Sequence, residues 1–564
     1  MKADLTRNTF HPLKHFSRVL MQQGRVQVDA DWNEQTAILL HYLHTLGADL
    51  IGAHGGPIAR AGFALTPLKP GGAASGDFRI APGRYYVDGI LCELDTDALM
   101  LAVQSAASGQ VIVQVPAWTL NGIPFQAGQY VEVFDAKVPA PTPPFPPTVV
   151  TIASVDPTHR LLTLQGAPAG LPAPQMPALR RVVSYLTQPD YPVAAGTKLA
   201  AGDYQVCLDV WERHISYVED DSMREVALGG PDTATRSKVV WQVKLAPACV
   251  AASAVNTVPA TGAGTAGSAG NAGPASRCCS VDEIGLHFQP PSRPQLKARA
   301  KLDAGATDPC IIAPDARYRG AENQLYRVEI HTGDTTPPTF KWSRENGSVV
   351  FPIVSGGGTS VLTLETLGRD DRFGLREGDW VEVENDDYVL QNLASPLLQV
   401  QAIDRVGLSV TLSGSTDSTI SNGAKHPLLR RWDQQQGDAT DGGLQLSANG
   451  AAAIVEDSAD NWLSLEDGVQ IQFQKPGQNA APNQYRTGDY WLIPARTATG
   501  NVEWPAEPDA QGQPVPLALP PDGIVHHYAP LGVLTIDASG NVAAVSSDCR
   551  KQFDSVVNLT PKKP

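Results

Sequence analysis

The 564-residue sequence lacks the features that mark membrane, nucleic-acid-binding and disulfide-rich proteins. No run of about eighteen apolar residues occurs, so we expect no transmembrane helix, and the N-terminus lacks the apolar region of a classical signal peptide. Because the net charge is −15 and no long basic run exists, we expect no nucleic-acid partner. Only seven cysteines are present, which favours reduced thiols in a cytoplasmic setting over a disulfide scaffold.

Glycine and proline, by contrast, are abundant, with 51 and 46 residues spread along the chain. This composition favours many short strands joined by turns over long helices. Hydrophobic residues make up 42% of the chain, enough for sizeable cores, and the length corresponds to roughly three to five domains. We therefore predict a mainly β, multi-domain, modular fold of antiparallel sheets.

The stretch FSRVLMQQGRVQVDADWNEQ near the N-terminus predicts a junction between a strand and a helix. Val26 and Val28 alternate with polar neighbours, which predicts a short strand. Asp31 is followed three residues later by Glu34, which has the form of a capping box at a helix start. The sequence therefore predicts that a helix follows directly, with Trp32 as the large aromatic residue at the junction.

This N-terminal helix is predicted over residues 32–50 and is amphipathic. Leu39, Leu43, Leu46 and Leu50 are separated by four, three and four residues, which places them on one face. Two packings are consistent with this stripe. It packs either on the β core of its own chain or against a neighbouring subunit.

Two parts of the chain repeat one pattern. The first is AGQYVEVFDA (127–136) with TVVTIASVDPTHRLLTLQG (148–166), and the second is EGDWVEVENDD (377–387) with LLQVQAIDRVGLSVTLSG (397–414). Each begins with Gly, a polar residue, an aromatic residue and Val-Glu-Val, and each ends in an alternating strand. The repeat predicts two small antiparallel β-barrel-like modules.

The predicted organisation is modular along the whole chain. The parts are a strand–helix docking element (1–56), a β region with a hairpin at Asp88-Gly89 (57–126), the first barrel-like module (127–170), a β domain (171–249), a flexible loop rich in Ala, Gly and Ser (250–277), a further β region (278–376), the second barrel-like module (377–414) and a C-terminal β domain (415–564). Within the first module, residues 138–147 are predicted to form an extended, proline-rich loop.

No pattern predicts catalysis, cofactor binding or metal binding, so no residue is assigned to these roles. His526 and His527 are adjacent in a predicted strand and should point to opposite faces, one buried and one exposed. Four cysteines surround the flexible loop but lack the paired spacing of zinc ligands: Cys249, Cys278, Cys279 and Cys310. Unpaired, half-buried thiols are favoured there, while a disulfide or a metal site stays an open alternative.

Charged and aromatic residues offer weaker signals. Four acidic pairs stand in turn-like contexts and are read as solvated turns: Asp220-Asp221, Asp370-Asp371, Asp386-Asp387 and Glu466-Asp467. Structural ion pairs are expected between Arg213 or Arg236 and Asp220 or Asp232. A glycan-binding role would use aromatic platforms near Trp211, Trp380 or Trp491. Glycan cleavage would need two carboxylates facing each other across a groove.

The opening TFHPLKHFSRVLMQQGRVQVDADWNEQ resembles the N-terminus of a bacterial family without an established activity, whose members are associated with phage-tail-like contractile injection systems. Further similar segments are GRYYVDGILCELD, LDVWERHISYVEDDSMREVALGGPDTATR, YRGAENQLYRVEIH, FKWSRENGSVVFPI and YRTGDYWLIPAR. The opening is also similar to the N-termini of phage baseplate and tail-fibre proteins.

This resemblance implies a structural, non-enzymatic component of a contractile particle, in its baseplate, a baseplate extension or cage, or a fibre. It implies no catalytic residue and no cofactor. The expected partners are other tail or baseplate proteins and further copies of the chain, without nucleic acid. The alternatives are a tail spike that binds a glycan or cell surface, or one that cleaves a glycan.

The resemblance also bears on location and on the N-terminal segment. We expect assembly in the cytoplasm and then a place in an extracellular or membrane-anchored particle. Deleting residues 1–52 is expected to abolish incorporation into the particle while the later β modules still fold.

Overall fold

A computed structural model describes residues 1–69, 75–94, 98–107, 109–120, 123–135, 148–166, 177–193, 197–250, 276–289, 293–302, 317–457 and 461–555. The fold is mainly β and multi-domain, with many antiparallel sheets, as predicted. The proline-rich loop, almost all of the Ala/Gly/Ser-rich loop, Cys310 and the C-terminal PKKP lie outside the described residues. Within the described part of the chain, no helix is both long and apolar enough to cross a bilayer.

The elements are numbered in chain order. The first are α1 (Asp29–Ile51), β1 (His54–Pro57), β2 (Leu65–Pro67), β3 (Phe78–Ile80), β4 (Gly83–Val87), β5 (Ile90–Leu94), β6 (Leu99–Met100), β7 (Ala102–Ala107), β8 (Gln110–Gln114), β9 (Thr119–Leu120), β10 (Ile123–Pro124), β11 (Tyr130–Asp135), β12 (Thr148–Asp156), β13 (Leu161–Gln165), β14 (Pro177–Arg181) and β15 (Val183–Ser184). The middle elements are β16 (Gly202–Ile215), β17 (Arg236–Pro247), β18 (Cys249–Val250), β19 (Ser276–Arg277), α2 (Val281–Phe288) and β20 (Leu296–Ala300). The last are β21 (Gln324–Thr332), β22 (Thr339–Ser343), β23 (Val350–Ser355), β24 (Val361–Leu364), β25 (Trp380–Glu384), α3 (Asp386–Gln391), β26 (Leu397–Asp404), β27 (Ser409–Leu412), β28 (Leu428–Trp432), β29 (Ala452–Ala453), β30 (Leu463–Ser464), β31 (Val469–Phe473), β32 (Tyr490–Arg496), β33 (Asn501–Val502), β34 (Ala506–Pro508), β35 (Pro514–Pro516), β36 (His527–Ile536), β37 (Val542–Asp548) and β38 (Gln552–Phe553).

The chain forms two compact units, each assembled from three separate segments. Unit 1 comprises residues 1–42, 211–239 and 289–525, and unit 2 comprises residues 43–210, 240–288 and 526–564. Unit 1 contains the sheet β29-β22-β21-β32-β33, the sheet β20-β31-β30 and a closed barrel. Unit 2 contains a seven-stranded sheet and several smaller sheets, among them β38-β1-β4-β5, in which the C-terminal strand β38 pairs in parallel with β1.

The second predicted repeat forms part of the closed barrel of unit 1. The strand order of this barrel is β23-β24-β27-β26-β25-β28. Alternate residues of each strand point inward, so that Val381, Val383, Val400 and Val410 lie in one buried cluster. The repeat therefore supplies three adjacent strands of the barrel, and its flanking strands come from sequence on either side.

The first predicted repeat builds the same arrangement in unit 2. Its sheet has the order β6-β14-β11-β12-β13-β8-β7, in which β11, β12 and β13 correspond to β25, β26 and β27. The two outermost strands are separated only by Leu101, whose amide donates to the carbonyl of Pro177 at 2.8 Å. Strands β6 and β7 thus form one bent segment, residues 99–107, which pairs with β14 through β6 and with β8 through β7. In the same way, β23 pairs with both β28 and β24. The sheet closes on itself.

Equivalent hydrogen bonds recur in the two modules. The amide of Gly128 donates to the carbonyl of Ile152, and the amide of Gly378 donates to the carbonyl of Val400, both at 2.8 Å. Both glycines have positive φ, +86° and +93°, a conformation that glycine adopts without strain. A β-bulge follows Ile152 in β12 and Val400 in β26. These features confirm the internal repeat and explain its leading glycine.

Each module also places a buried glutamate opposite an arginine. Glu132 of β11 lies opposite Arg180 of β14, and Glu382 of β25 lies opposite Arg430 of β28. Both glutamates are buried. The Leu-Arg-Arg sequence at the end of β14 and within β28 is therefore a further part of the repeat, and it lies outside the two spans that the sequence analysis compared.

The strand predicted around Val26 and Val28 is not formed. Residues 15–28 contain neither helix nor strand. Both valines are exposed, Val26 by 87%. Alternation of apolar and polar residues predicts a half-buried strand only where one face meets a core, and here no core covers it.

The predicted capping box is also wrong, because the helix begins earlier. Helix α1 starts at Asp29, which puts Asp31 inside the first turn. The carboxylate of Asp29 accepts hydrogen bonds from the amide and the hydroxyl of Thr6, at 2.9 and 2.6 Å. Glu34 accepts a bond from the hydroxyl of Thr9 at 2.7 Å. These acidic residues therefore attach the preceding segment to the helix.

The hairpin predicted at Asp88-Gly89 is confirmed and contacts the helix within unit 2. Strands β4 and β5 pair across it, and both turn residues have positive φ, as a type I′ turn requires. A Cβ placed on Gly47 of α1 would lie 2.9 Å from the Cα of Gly89. A Cβ on Gly89 would lie 2.0 Å from the carbonyl oxygen of His44. Two glycines therefore allow the backbones to touch.

Gly47→Ala is expected to destabilise the protein by about 1–3 kcal/mol, because the added methyl group forces the helix off the hairpin. Without this contact, alanine would stabilise the helix relative to glycine by up to about 1 kcal/mol. The sign of the change in the free energy of unfolding therefore shows whether the contact is tight. Urea unfolding measures it. The matched control is Gly285→Ala in α2, where the new Cβ would meet nothing closer than 3.9 Å. That change should be neutral or stabilising, and equal midpoints for the two variants would contradict the tight contact.

Candidate functional site

Residues 10–28, here called the arm, lie in unit 1 beside residues 29–42 of helix α1 and have little regular structure. A single 3-10 turn occurs at Pro12–Lys14. Six large apolar side chains of the arm are exposed by between 41% and 87%: Leu13, Phe16, Leu20, Met21, Val26 and Val28. An exposed segment this rich in large apolar side chains is typical of an interaction surface.

The arm contacts its own helix at few points. The amide of Val19 donates to the side-chain oxygen of Gln35 at 2.8 Å, and the rings of Phe10 and His41 are 5.7 Å apart. The arm carries three basic residues, at positions 14, 18 and 25, and no acidic residue. It is therefore a basic segment in a chain whose net charge is −15.

Helix α1 has two apolar faces with different surroundings. Ala30 and Ile38 are buried on one face. The predicted leucine stripe lies on the other face and is exposed: Leu39, Leu43, Leu46 and Leu50, together with Trp32. Of the two packings that the sequence left open, the stripe does not adopt the one on its own core.

A network of buried charges lies within unit 1, and its members are Lys2, Arg327, Glu329, Lys341, Glu382, Glu384 and Arg430. Glu329 accepts bonds from Arg327 at 2.6 Å and lies 3.2 Å from the Lys2 amine. Burial alone raises the pKa of Glu329, but Lys2, Arg327 and Lys341 together hold that pKa well below its usual value. The carboxylate is therefore charged in the interior.

The barrel supplies the other side of this network. Glu384 binds Arg430 through both carboxylate oxygens at 3.0 Å, and Glu382 binds the amine of Lys341. The indole of Trp432 donates to Glu382 at 3.0 Å. Arginine, lysine and glutamate thus alternate with apolar residues on strands β21, β22, β25 and β28, and the charged faces are buried.

The first three residues of the sequence are part of this interior. The side-chain amide of Asn346 donates to the carbonyls of Met1 and Ala3 at 3.0 and 2.8 Å. The amine of Met1 donates to the hydroxyl of Tyr490 at 2.9 Å, and burial, aided by Arg327, lowers its pKa to about 5. A deletion of residues 1–52 would remove these buried contacts, so the expectation that it spares the β modules has to be revised.

Three carboxylates gather near arginines elsewhere in unit 1. Glu466 accepts bonds from the hydroxyl of Tyr326 at 3.1 Å and from Arg344 at 2.7 Å, and Asp433 accepts one from the amide of Arg344. Burial and the nearby charge of Asp433 raise the pKa of Glu345 to about 8 and that of Glu466 to about 7. Glu466 is therefore not the solvated turn residue that was predicted.

The other acidic pairs divide between turns and ion pairs. Asp220 and Asp370 each accept backbone bonds within a turn, as predicted. Asp386, instead, accepts a bond from Arg213 at 2.6 Å and lies 2.8 Å from a ring nitrogen of His426. It begins helix α3 next to a folded interior, which is why it is half-buried.

The partners predicted for Arg213 are wrong, whereas the pKa of Asp220 is lowered by hydrogen bonds from Ser222 and also by the charge of Arg236, as the predicted pairing implies. Arg213 binds Asp386 and lies 3.4 Å from Glu219. The guanidinium of Arg236 donates to the carbonyl of its neighbour Thr235 and is exposed. Asp386 is 173 positions away from Arg213 in the sequence, so a prediction that pairs each arginine with a nearby acidic residue cannot find it.

The two adjacent histidines point to different partners. His526 lies 2.7 Å from Asp209, and His527 lies 2.8 Å from Asp88. Both histidines are half-buried, so the prediction of one buried and one exposed ring is wrong. Burial alone raises the pKa of Asp209, but His526 and Lys244 hold that pKa below its usual value.

The tryptophans considered for glycan binding are mostly interior. Trp211 and Trp491 are buried, and the indole of Trp491 donates to the carbonyl of Leu519 at 2.9 Å. Trp380 is half-buried and its ring packs closely on Gly450. Two of the three rings therefore offer no face on which a sugar could stack.

The cysteines form two disulfides within unit 2. Cys249 is bonded to Cys279, and Cys278 is bonded to Cys549. Unpaired thiols were predicted for Cys249, Cys278 and Cys279, and that prediction is wrong, because the β18–β19 pair brings Cys249 close to the cysteine pair. Cys92 and Cys207 are free and buried. The second bond ties residues that are 271 positions apart.

A carboxylate lies beside the first disulfide. An oxygen of Glu283 and the sulfurs of Cys249 and Cys279 lie within 4.8 Å of one another. Arg277 binds both oxygens of Glu283, at 2.6 and 3.0 Å, and the two sulfurs are bonded to each other. These groups are therefore engaged with one another in the structure.

The buried charge network was not predicted from the sequence. Its signal was nevertheless present, because basic and acidic residues alternate with apolar ones in LYRVEIH and FKWSRE and in both Val-Glu-Val motifs. Opposite charges on the same face of several strands indicate pairing across a buried interface.

Comparison with known families gives one match. The model of a family of unknown function, DUF6519, matches residues 1–110, 182–273 and 257–561. The chain belongs to this family. No curated protein and no solved structure matches it. In this DUF6519 chain, the unmatched residues 111–181 contain strands β9 to β14 and thus most of the first barrel.

The raised pKa values predict how the stability of the DUF6519 chain depends on pH. Because Glu345 and Glu466 bind protons more tightly in the folded state, their stabilisation is complete below the ordinary pKa of 4.5 and is lost as pH rises towards about 8. Glu345→Gln should flatten this fall in the free energy of unfolding. The control, Glu377→Gln at an exposed site, should leave the pH profile unchanged. A profile that rises over this range would contradict the assignment.

The disulfides predict a specific pattern of alkylation. In denaturant without reductant, Cys92 and Cys207 should react, whereas Cys249, Cys278, Cys279 and Cys549 should react only after reduction. Cys549→Ser should expose Cys278 alone and lower the free energy of unfolding by about 2–4 kcal/mol. Peptide mapping distinguishes the sites. Reaction of all four cysteines without reductant would refute the pairing.

Proposed function

We propose that this DUF6519 chain is a non-enzymatic structural subunit of a contractile phage-tail-like particle, in its baseplate, a baseplate extension or cage, or a fibre. The observation that carries the proposal is the exposed, apolar and basic arm on a folded β body. The kind of particle comes from the resemblance of the opening segment to proteins of such particles.

The composition of the arm defines the partner. Full burial of an apolar side chain contributes roughly 1.5–3 kcal/mol, so the six exposed side chains can offset the cost of bringing two proteins together. The positive charge of the arm favours an acidic surface and speeds the encounter with it. The partner is therefore a tail or baseplate protein with an acidic surface around an apolar groove.

The arm is fixed at both ends within unit 1. On its N-terminal side, residues 1–3 are held by Asn346 and by the buried charge network. On its C-terminal side, Ala30 and Ile38 anchor helix α1. A segment held at both ends loses less conformational entropy on binding than a free tail. The buried charges thus serve assembly by holding the arm in place.

The disulfides bear on where the subunit works. Assembly in the cytoplasm followed by a place in an extracellular or membrane-anchored particle takes the chain from a reducing to an oxidising environment, in which such bonds persist. Glycan recognition is less well supported, because Trp211 and Trp491 are buried.

Docking through the arm is tested in cells that carry the gene and produce sheathed particles. The gene is deleted and complemented with the wild type or with Leu13→Ser/Phe16→Ser/Leu20→Ser, and sheathed particles are purified on a density gradient. The wild-type chain should co-sediment with the particles. The amount of the arm variant that co-sediments with the particles should be roughly tenfold or more below that of the wild type, because three buried contacts are lost.

The matched control is Val226→Ser/Leu228→Ser, which removes two exposed apolar side chains elsewhere in unit 1. This variant should co-sediment like the wild type. Absence of the wild-type chain from the particles would overturn the proposed function. Full retention of the arm variant would show that another surface docks the subunit.

A further inference from the structure

Helix α1 presents a regular apolar seam that its own chain leaves uncovered. The seam consists of Trp32, Thr36, Leu39, Leu43, Leu46 and Leu50, and all six side chains are exposed. The helix already buries Ala30 and Ile38 on a different face. The contacts of Ala30 and Ile38 therefore do not account for the second apolar face.

The spacing of the seam is that of a coiled coil. The intervals along it are four, three, four, three and four residues, which is the alternation of a and d positions in a heptad repeat. In this register Leu39 and Leu46 occupy d positions, and Leu43 and Leu50 occupy a positions. The 23 residues of α1 correspond to roughly 34 Å of helix. An amphipathic helix that only covers a core has no need of this second, strictly periodic face.

The one polar residue of the seam is compatible with burial. The hydroxyl of Thr36 donates to the carbonyl of Trp32 within the same helix at 3.2 Å. The hydroxyl group of Thr36 therefore has a hydrogen-bond acceptor within its own helix and needs none from a second helix. Burying it between helices would leave no unpaired hydroxyl proton.

The residues beside the seam permit association of identical helices. Positions e and g are occupied by Asn33, Gln35, Leu40, Tyr42, Gly47 and Asp49. Gln35 already binds the amide of Val19 in the arm, and Gly47 lies against Gly89 of the hairpin, so a second helix has to approach between these two contacts. Only Asp49 is charged, so parallel copies bring few like charges together. Leu40 and Tyr42 are exposed and widen the apolar strip. No pattern of charges directs the helix towards a different partner.

We propose that helix α1 associates with the same helix of a second copy of the chain as a parallel coiled coil. The proposal rests on the proposed assembly role, yet it uses a face of the helix and not the arm. Each copy would then present one arm, and the arms of one oligomer would bind their particle together. Linked arms raise avidity without a stronger single contact.

Sedimentation velocity of the full-length protein over a range of concentrations tests the seam. The wild type should form a discrete oligomer. Leu43→Glu/Leu46→Glu should weaken association by roughly a hundredfold or more, because two buried leucines are replaced by charges that repel between copies. The matched control is Leu286→Glu, an exposed leucine on helix α2, which should leave the oligomer intact. Thermal unfolding confirms that the variants fold.

Cross-linking gives a second readout, in which the expected result is the appearance of a product and not the loss of association. Leu46→Cys places one thiol at a d position, so two copies should be joined rapidly by a bismaleimide, whereas Leu286→Cys should stay unlinked. A monomeric wild type at every concentration, or an oligomer that survives Leu43→Glu/Leu46→Glu, would overturn the coiled coil.

The arm variant separates this proposal from the proposed function. The arm variant should remain oligomeric but should no longer co-sediment with the particles. If instead it remains oligomeric and stays on the particle, the docking role of the arm fails and the coiled coil stands.

Discussion

Pairing of buried charges is the interaction on which unit 1 depends. Three glutamates, Glu329, Glu382 and Glu384, lie in the interior as carboxylates, and each would cost several kcal/mol to bury alone. Lysine and arginine side chains from other strands and from residue 2 neutralise them. Removal of one partner leaves a charge without compensation, so the strands and the N-terminal residues that carry these groups must come together as a set. Such a requirement selects one arrangement of sheet and barrel over others that would bury similar apolar area.

The same chemistry appears in simpler form in the first barrel. Glu132 is buried and is bound by Arg79 and Arg180, in the position that Glu382 holds in the second barrel. The two modules therefore share a closed sheet, a glycine with positive φ, a bulge and a buried glutamate. In the second module the glutamate is joined to a wider network, through which residues 1–3 and the arm are held. The additional charges of the second module thus connect its barrel to residues 1–3.

Local patterns predicted the parts of the fold that depend on neighbouring residues. The Asp88-Gly89 turn, the leading glycines of the two modules and the leucine stripe each express a constraint within a few residues, and each could be read directly. The Cys278–Cys549 disulfide could not be predicted, because these two cysteines are 271 positions apart and meet only in the folded chain. The strand expected at Val26 and Val28 failed for a related reason, since alternation says nothing about whether a core is present. The exposed seam was visible as a stripe, but only the structure shows that the chain leaves it bare.

The division of each unit among three segments has a consequence for biosynthesis. Unit 1 needs residues from the first 42 and from the stretch up to 525, and unit 2 needs residues beyond 526, among them strand β38 and Cys549. Neither can close its core while the ribosome is still making the middle of the chain, and contacts so distant in sequence form slowly. The N-terminal residues are therefore synthesised long before the residues that they contact in unit 1. A nascent chain therefore lacks an anchored arm, and under the proposed function a chain still in synthesis would have no docking surface, so that only finished chains would bind.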